Sequence, residues 1–144
     1  MMRRVSASLV AFLTLLCITL VAIGTSAQEN VDGKTLKNPV PATPESIKAG
    51  DAVYQRLCKF CHGADAKGDG PMKPKGSNPP NLIDEKWDYG STDGEIFLTI
   101  LNGTPKKGTP PKTDMVPLKG RIKDPDVWNL VNYLRSLGPK AKTH

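Results

Sequence analysis

The sequence predicts a small all-α domain, and three observations support this fold class. Three segments carry apolar residues at the three-to-four spacing of a helix, whereas no segment shows the alternating pattern of a half-buried strand. The segments between the helices, residues 63–90 and 104–123, are rich in Gly, Pro, Lys and Asp and are long for a compact domain. Aromatic residues make up only 6% of the chain, so three short helices alone would form a thin core. We therefore expect the loops to enclose a large apolar group.

The first 27 residues have the order of a secretory signal peptide. Arg3 and Arg4 precede an apolar run over residues 5–23, and the small residues at 24–27 lead into a polar stretch. We expect cleavage after Ala27. Because the apolar run is about 18 residues long, an uncleaved membrane anchor is the alternative.

The first helix is predicted to begin at Thr43, whose hydroxyl serves as N-cap, with Pro44 at the first helical position. Apolar residues then recur on one face from Ile47 to Leu57, and the segment runs directly into Cys58.

The second and third helices carry similar signals. Thr92 and Glu95 form a capping-box pattern at the start of the second helix, and Gly103 is a stop signal after it. Asp124 is predicted to cap the third helix, which ends at Gly138. The apolar face of the third helix consists of Val127, Trp128, Leu130, Val131, Leu134 and Leu137.

These signals divide the chain into four parts: a signal peptide over residues 1–27, a flexible leader over 28–43, a folded domain over 44–138 and a disordered tail over 139–144. Two of the 20 basic residues leave with the signal peptide and none of the 14 acidic ones does. The mature net charge is therefore 18 − 14, or +4. With no clustered basic stripe, this charge excludes a nucleic-acid-binding protein.

The run from Cys58 to His62 reads C-x-x-C-H, a pattern typical of c-type haem attachment. Cysteines three residues apart on a helical turn place both sulfur atoms on one side, where they can form thioethers with the two vinyl groups of one porphyrin. The histidine that follows Cys61 can then bind the iron as its proximal ligand. The motif thus predicts one haem c, attached through Cys58 and Cys61, with His62 on the metal.

Other uses of the motif need features that the sequence does not supply. A thioredoxin-like redox pair needs a βαβ surround. A structural zinc site needs a fourth ligand, and the other histidine is His144 at the chain end. A disulfide across so short a loop would stabilise little, because the benefit grows with loop length. A coincidental pentapeptide with no cofactor remains as an alternative, but export and the thin core both agree with haem.

The span from Thr43 to Gly138 resembles the class I monohaem cytochromes c. This resemblance implies a cytochrome c-like fold, in which three to four short helices and long loops wrap around one covalent haem. The matching segments are residues 49–54, 58–63, 80–82, 92–97 and 126–134.

The resemblance also implies where the first and last helices meet. In this family they cross at near right angles, and the crossing would place Gly50 against Tyr133 or Leu134. A glycine inside an amphipathic helix costs about 1 kcal/mol relative to alanine, so a close helix contact would explain its presence.

Three further positions take roles from the resemblance. The carbonyl of Pro80 is expected to face the ring N–H of His62 and so to fix the tautomer of the ligand. The alternative is that the prolines merely stiffen the loop. Trp87 and Tyr89 either donate hydrogen bonds to a haem propionate or are ordinary packing residues.

The sixth iron ligand has three candidates in the mature chain, Met72, Met115 and His144. The family places its methionine in a proline-framed loop before the last helix, which is the position of Met115. In many relatives proline follows that methionine directly, whereas here Val116 intervenes. Met72 lies in a Gly-Pro loop close to the motif, and His144 lies at a chain end, where order is usually low.

With His62 and Met115 both bound, the resemblance implies an electron carrier and not an enzyme. It would be a periplasmic shuttle or the cytochrome subunit of an oxidoreductase, soluble after signal cleavage. The alternative is a haem enzyme or sensor with an exchangeable sixth site. Expected partners are redox proteins with an acidic docking face, and membrane contact is expected only if the N-terminal segment stays uncleaved. The lysines expected around the haem are Lys59, Lys67, Lys73, Lys75, Lys106, Lys107, Lys112 and Lys119.

Overall fold

The structure is a computed structural model that describes residues 31–84, 87–105 and 113–138. The fold is helical, as predicted. Its helices are α1 (Pro44–Leu57), α2 (Lys59–His62), α3 (Asp93–Asn102) and α4 (Asp124–Leu137), with the short strands β1 (Thr104–Pro105) and β2 (Thr113–Met115) between α3 and α4. The predicted signal peptide and tail lie outside the described residues. Across the described ranges, no helix combines the length and apolar character needed to span a membrane.

Helices α1 and α3 begin at the caps that the sequence predicts. The Thr43 hydroxyl accepts a hydrogen bond from the Ser46 N–H at 3.2 Å, and Pro44 takes the first helical position. At α3 the Thr92 hydroxyl accepts from the Glu95 N–H at 3.2 Å, and the Glu95 carboxylate accepts from the Thr92 N–H at 2.9 Å. The Thr92 N–H bond to that carboxylate lowers the pKa of Glu95, because it favours the charged form.

Helix α4 begins one residue earlier than predicted. The first helical N–H groups, those of Asp126 and Val127, donate to the carbonyl of Lys123 at 3.0 and 3.2 Å. Lys123 is therefore the N-cap, and Asp124 is the first helical residue instead of the cap. The Asp124 carboxylate remains favourable there, because it lies in the first turn near the positive end of the helix dipole. Gly138 ends the helix, as expected.

Helix α1 packs mainly against α4, and the contact is closest at Gly50. A Cβ atom built on Gly50 would overlap the carbonyl of Asn129 and lie 2.7 Å from the Cβ of Tyr133. The rings of Tyr54 and Tyr133 extend the contact, with their centroids 5.3 Å apart. Of the two residues that the resemblance implies opposite Gly50, the structure places Tyr133 there.

Helix α3 joins this pair through an aromatic stack. The rings of Phe97 and Trp128 lie almost parallel, with their centroids 3.9 Å apart. Val127, Leu130 and Val131 of α4 are almost completely inaccessible to solvent. The core therefore lies where α4 faces both of the other long helices.

Residues 31–43, which we call the strap, belong to the predicted leader and make hydrogen bonds to the domain. The Asn38 amide donates to the Asn132 side-chain oxygen at 2.8 Å. The Asn132 amide in turn donates to the carbonyl of Val40 at 3.0 Å and to the hydroxyl of Ser46. The buried side chain of Asn132 thus ties the strap to α4 and to the start of α1.

The first half of the strap is fixed at the start of α3. The Thr92 hydroxyl lies 3.1 Å from the carbonyl of Gly33 and donates to it. A Cβ atom on Gly94 would overlap that same carbonyl and crowd Leu36, so the strap and the helix are in direct backbone contact. Leu36 packs against the core.

Strands β1 and β2 form an antiparallel pair that the sequence does not predict. Thr104 pairs with Met115 and Pro105 with Thr113, with an irregularity between the two positions. Strands of two and three residues are too short to show an alternating pattern. Their pairing fixes Met115 beside the end of α3.

We predict that Gly50→Ala destabilises the folded protein, although alanine favours helix by about 1 kcal/mol over glycine. The added methyl group would overlap the Asn129 carbonyl and push α1 away from α4, a form of overpacking that costs about 1–3 kcal/mol. A lower melting temperature of the haem-loaded variant would show this. Ala52→Gly, at an exposed α1 position, is the control for helix propensity alone. A higher melting temperature for Gly50→Ala would contradict the close contact.

Candidate functional site

An apolar cavity of about 440 Å³ lies between the helices and the loop residues 74–82 and 87–90. All four helices and strand β2 contribute to its walls, which are mostly apolar. Protein interiors are normally close-packed, with few voids larger than a water molecule. A cavity of this size in so small a domain is therefore a binding site for a large apolar group.

The two cysteines of the C-x-x-C-H run lie on one wall of this cavity. Cys58 donates its N–H to the carbonyl of Tyr54 at 2.9 Å, so the turn continues from α1. The N–H groups of Cys61 and His62 then donate to the Cys58 carbonyl at 3.1 and 2.9 Å. Because the backbone stays helical through the motif, both sulfur atoms and the imidazole belong to one turn. Both thiols are free and border the cavity.

The chemistry of Cys58 differs from that of a redox-active thiol. Burial, together with the nearby Cys61, raises the pKa of the Cys58 thiol to about 12. Thiol exchange needs a thiolate, and catalytic C-x-x-C pairs hold the pKa of one cysteine below its ordinary value. The thioredoxin-like alternative therefore has no support at this site.

His62 is buried, with 9% of its surface exposed, and borders the same cavity. Its Nδ1 atom lies 3.5 Å from the carbonyl oxygen of Pro80, the acceptor that the resemblance implies. Burial lowers the pKa of His62 in spite of this contact, so the ring is neutral at physiological pH. A proton on Nδ1 leaves Nε2 with a free lone pair, which is the form that binds a metal.

The loop after His62 folds back on α2 and satisfies its carbonyl groups. Gly70 and Met72 donate their N–H groups to the carbonyls of Cys61 and Phe60 at 3.1 and 2.8 Å. A Cβ atom at Gly70 would overlap the Cys61 backbone, so this return requires glycine. The hydrogen bonds from this loop thus hold the C-x-x-C-H run in place, in addition to the helical hydrogen bonds within the run itself.

Tyr54 holds the other side of the turn, a role that the sequence analysis misses. Its hydroxyl donates to the Gly63 carbonyl at 2.7 Å, and its ring borders the cavity. Burial raises the pKa of Tyr54, so the hydroxyl stays protonated and remains a donor. The available signal was its place on the buried face of α1, four residues before Cys58.

Met115 lines the cavity, whereas the exposed side chain of Met72 does not. Met72 has 67% of its surface in solvent. His144 lies outside the described residues. Of the two described candidates for the sixth ligand, only Met115 therefore shares a cavity with His62.

Trp87 and Tyr89 both border the cavity at the end formed by the loop before α3. The guanidinium carbon of Arg135 lies 5.8 Å from the centre of the Trp87 ring, and Arg135 also contacts Asp93 at 2.8 Å and the Ser91 carbonyl. Trp87 is partly buried at the cavity wall, whereas Tyr89 is exposed. The two alternatives for these side chains, a hydrogen bond to a haem propionate and ordinary packing, both stay predictions.

The donor set fits a haem and does not fit a metal ion bound by protein alone. Within residues 31–84, 87–105 and 113–138, no group of three or more His, Cys, Asp or Glu side chains is arranged to hold a metal ion. Two thiols, an imidazole and a thioether around one apolar cavity instead match a porphyrin attached through two thioethers. The structural zinc alternative therefore has no support among these residues.

Comparisons with known proteins agree with this geometry. The Cbb3-type cytochrome c oxidase subunit FixP of Sinorhizobium medicae (strain WSM419) is 38% identical over 98 residues, which cover 68% of this chain and 30% of that subunit. Among solved structures, a chain of the reducing HAO-like protein complex of Kuenenia stuttgartiensis aligns with a TM-score of 0.59 and 28% identity. The alignment covers 76% of this chain and 50% of that one.

Cytochrome cL from Methylophaga aminisulfidivorans aligns with a TM-score of 0.51 and 26% identity, over 66% of this chain and 57% of that one.

The match to the FixP subunit spans only 30% of the length of that subunit. The protein-family profile described as Cytochrome c matches residues 47–138, from within α1 to the end of α4. The chain belongs to the cytochrome c family.

Proposed function

We propose that this chain is a single-electron carrier, with one haem c that cycles between the ferric and ferrous states. The observation that carries the proposal is that Cys58, Cys61, His62 and Met115 all border one apolar cavity. Membership of the cytochrome c family supports electron transfer and a covalent haem.

Each of the four side chains has its own role in this proposal. The thiols of Cys58 and Cys61 hold the group covalently, so it stays bound in both oxidation states. His62, whose ring lies against the Pro80 carbonyl, and Met115 would be the two side chains that bind the iron. The bound haem supplies the one-electron couple of its iron. The Met115 thioether favours the ferrous state and so raises the reduction potential.

The cavity walls support a carrier more than an enzyme. Ile96, Ile100, Leu130 and Leu134 are buried side chains that line the cavity and would lower the local dielectric constant around a bound haem. A low dielectric disfavours the more highly charged ferric form. With a methionine in the sixth position no open site remains for a substrate. A haem enzyme or sensor with an exchangeable sixth site is the alternative that the spectra below distinguish.

Partners of this carrier are other redox proteins. The FixP protein is by name a subunit of a cytochrome c oxidase, which supports a place in an oxidoreductase complex as well as a free shuttle. We place the mature protein in the periplasm, exported by residues 1–27, with its functional domain at 44–138 and a tail at 139–144. Membrane attachment through an uncleaved N-terminal segment is the alternative.

The surface around the motif carries basic and apolar side chains together. Phe60 and Met72 are exposed large apolar residues on adjacent backbone segments. Lys73 and Lys75 are exposed on the same loop, where Lys67 pairs with Asp65 at 3.6 Å. Such a surface supports docking of an acidic redox partner, which the positive charge would steer.

Haem attachment leads to the first prediction from the site. Mature protein on a denaturing gel should keep a haem-linked peroxidase stain, whereas Cys58→Ser or Cys61→Ser should weaken or abolish it. The variants should also fold poorly, because haem contributes much of the buried apolar area. Release of haem from wild type into acidified organic solvent would contradict covalent attachment. An apoprotein with full helicity and a cooperative melt would contradict the role of haem in the core.

Replacement of the sixth ligand leads to a second prediction. Met115→Ala should remove the sulfur-to-iron band of the ferric protein and let cyanide bind readily. Its reduction potential should fall, because the ligand that favours ferrous iron has gone. Optical spectra and a redox titration measure both effects.

Met72→Ala is the matched control for Met115→Ala, since it removes the same side chain from an exposed position. It should leave the band, cyanide binding and the potential unchanged. Removal of His144 should also have no effect. If Met72→Ala loses the band and Met115→Ala keeps it, the proposed ligand assignment is wrong.

Charge steering leads to a third prediction. The rate of reduction by the native donor should fall as salt rises, because the Debye length shortens from about 30 Å at 0.01 M to about 10 Å at 0.1 M. Lys73→Gln should slow the reaction at low salt, whereas Lys48→Gln, an exposed lysine on α1, should not. Stopped-flow rates that do not depend on ionic strength would show that the lysines serve only solubility.

A further inference from the structure

Thr104 follows Gly103, the C-cap of α3, and contacts the backbone of Met115 on the cavity wall. Thr104 is only 6% exposed, and its hydroxyl accepts a hydrogen bond from the Met115 N–H at 3.1 Å. Both residues also border the cavity. The hydroxyl of Thr104 is therefore a buried polar group placed directly behind Met115.

The chain after Met115 is attached to the same helix end. Leu118 and Lys119 donate their N–H groups to the carbonyls of Ile100 and Leu101 at 3.2 and 3.0 Å. These carbonyls belong to the last turn of α3 and have no partner within the helix. The segment that carries Met115 thus caps α3, and it cannot move away without leaving those carbonyls unpaired.

The two backbones also touch between these anchors. Gly103 has a φ of 71°, and a Cβ atom there would overlap the carbonyl of Met115. A residue with a side chain at this position would force β2 away from the helix end. Hydrogen bonds before and after this contact, from Met115 and from Leu118, therefore hold the methionine against α3.

We propose that Thr104 is a positioning residue for Met115 and sets how firmly the methionine holds the sixth position of the iron. The proposal rests on the proposed function, because it takes Met115 as that ligand. Thr104 fixes the backbone of the ligand residue itself, whereas Leu118 and Lys119 act three and four residues later. Without the hydroxyl, the part-buried Met115 N–H would lose this acceptor, and the conformation that places Met115 at the cavity would lose the stability that the hydrogen bond gives it.

The chain contains a matched control at the opposite end of the same helix. Thr92 precedes α3 as Thr104 follows it, and its hydroxyl also accepts a backbone N–H, from Glu95 at 3.2 Å. Thr92 does not border the cavity. Thr104→Val therefore removes a threonine hydroxyl at the end of α3 that contacts Met115, and Thr92→Val removes one at the opposite end.

The experiment compares haem-loaded, mature wild type with Thr104→Val, Thr104→Ser and Thr92→Val. The readouts are the sulfur-to-iron band, the rate at which cyanide binds the ferric protein, and hydrogen exchange at the Met115 amide. In Thr104→Val we expect cyanide binding and amide exchange to be about tenfold faster or more, the effect of losing a buried hydrogen bond. Thr104→Ser, which keeps the hydroxyl, should restore wild-type values, and Thr92→Val should match wild type even if its melting temperature falls.

The outcomes separate this inference from the proposed function. A wild-type protein without the sulfur-to-iron band would show that Met115 is not the ligand, which overturns both. A wild-type band with equal cyanide binding in Thr104→Val and Thr92→Val would overturn the positioning role alone. If Thr104→Val does not fold, Thr104→Ser decides the matter through its cyanide and amide-exchange rates: wild-type rates support the role of the hydroxyl, and faster rates overturn it.

Discussion

The fold depends on one constraint, which is that its helices surround a cavity and do not fill it. Helices α1 and α4 touch at Gly50, but the apolar side chains beyond that contact line a cavity of about 440 Å³. Protein interiors are close-packed, so the domain needs a bound group to complete its core. In the proposed function, that group is also the redox centre. Folding and electron transfer then share one set of contacts.

The turn from Cys58 to His62 is short, and contacts with neighbouring segments on several sides hold it in place. Helix α1 leads into it without a break, the loop to Met72 pairs with its carbonyls, and Tyr54 fixes Gly63. Pro80 faces the histidine ring from a different loop. A helix of four residues has little stability of its own, because nucleation is costly. The surrounding contacts therefore define the positions of Cys58, Cys61 and His62.

Local signals in the sequence predict much of this structure. Some signals involve residues only three or four positions apart, so they can be read directly from the sequence. They are the caps at Thr43 and Thr92 and the C-x-x-C-H spacing. The strap and the β pair were missed because they depend on partners far along the chain, such as Asn38 with Asn132. Helix α4 begins at Asp124 because the Lys123 carbonyl accepts its first hydrogen bonds, and the residue types alone do not reveal such a backbone contact. The hydroxyl of Thr104 was missed for the same reason as the strap.

The strap lies outside the span that matches the family profile, and neutral groups hold it on the domain. Asn38, Asn132, Ser46 and the main-chain carbonyls that join them carry no net charge. Ion pairs in the described part of the chain lie elsewhere, at Asp65–Lys67 and Asp93–Arg135. Screening by salt acts on charged groups, and neutral amides do not titrate. The fastening of the strap and the ion pairs of the domain therefore respond to different solution variables.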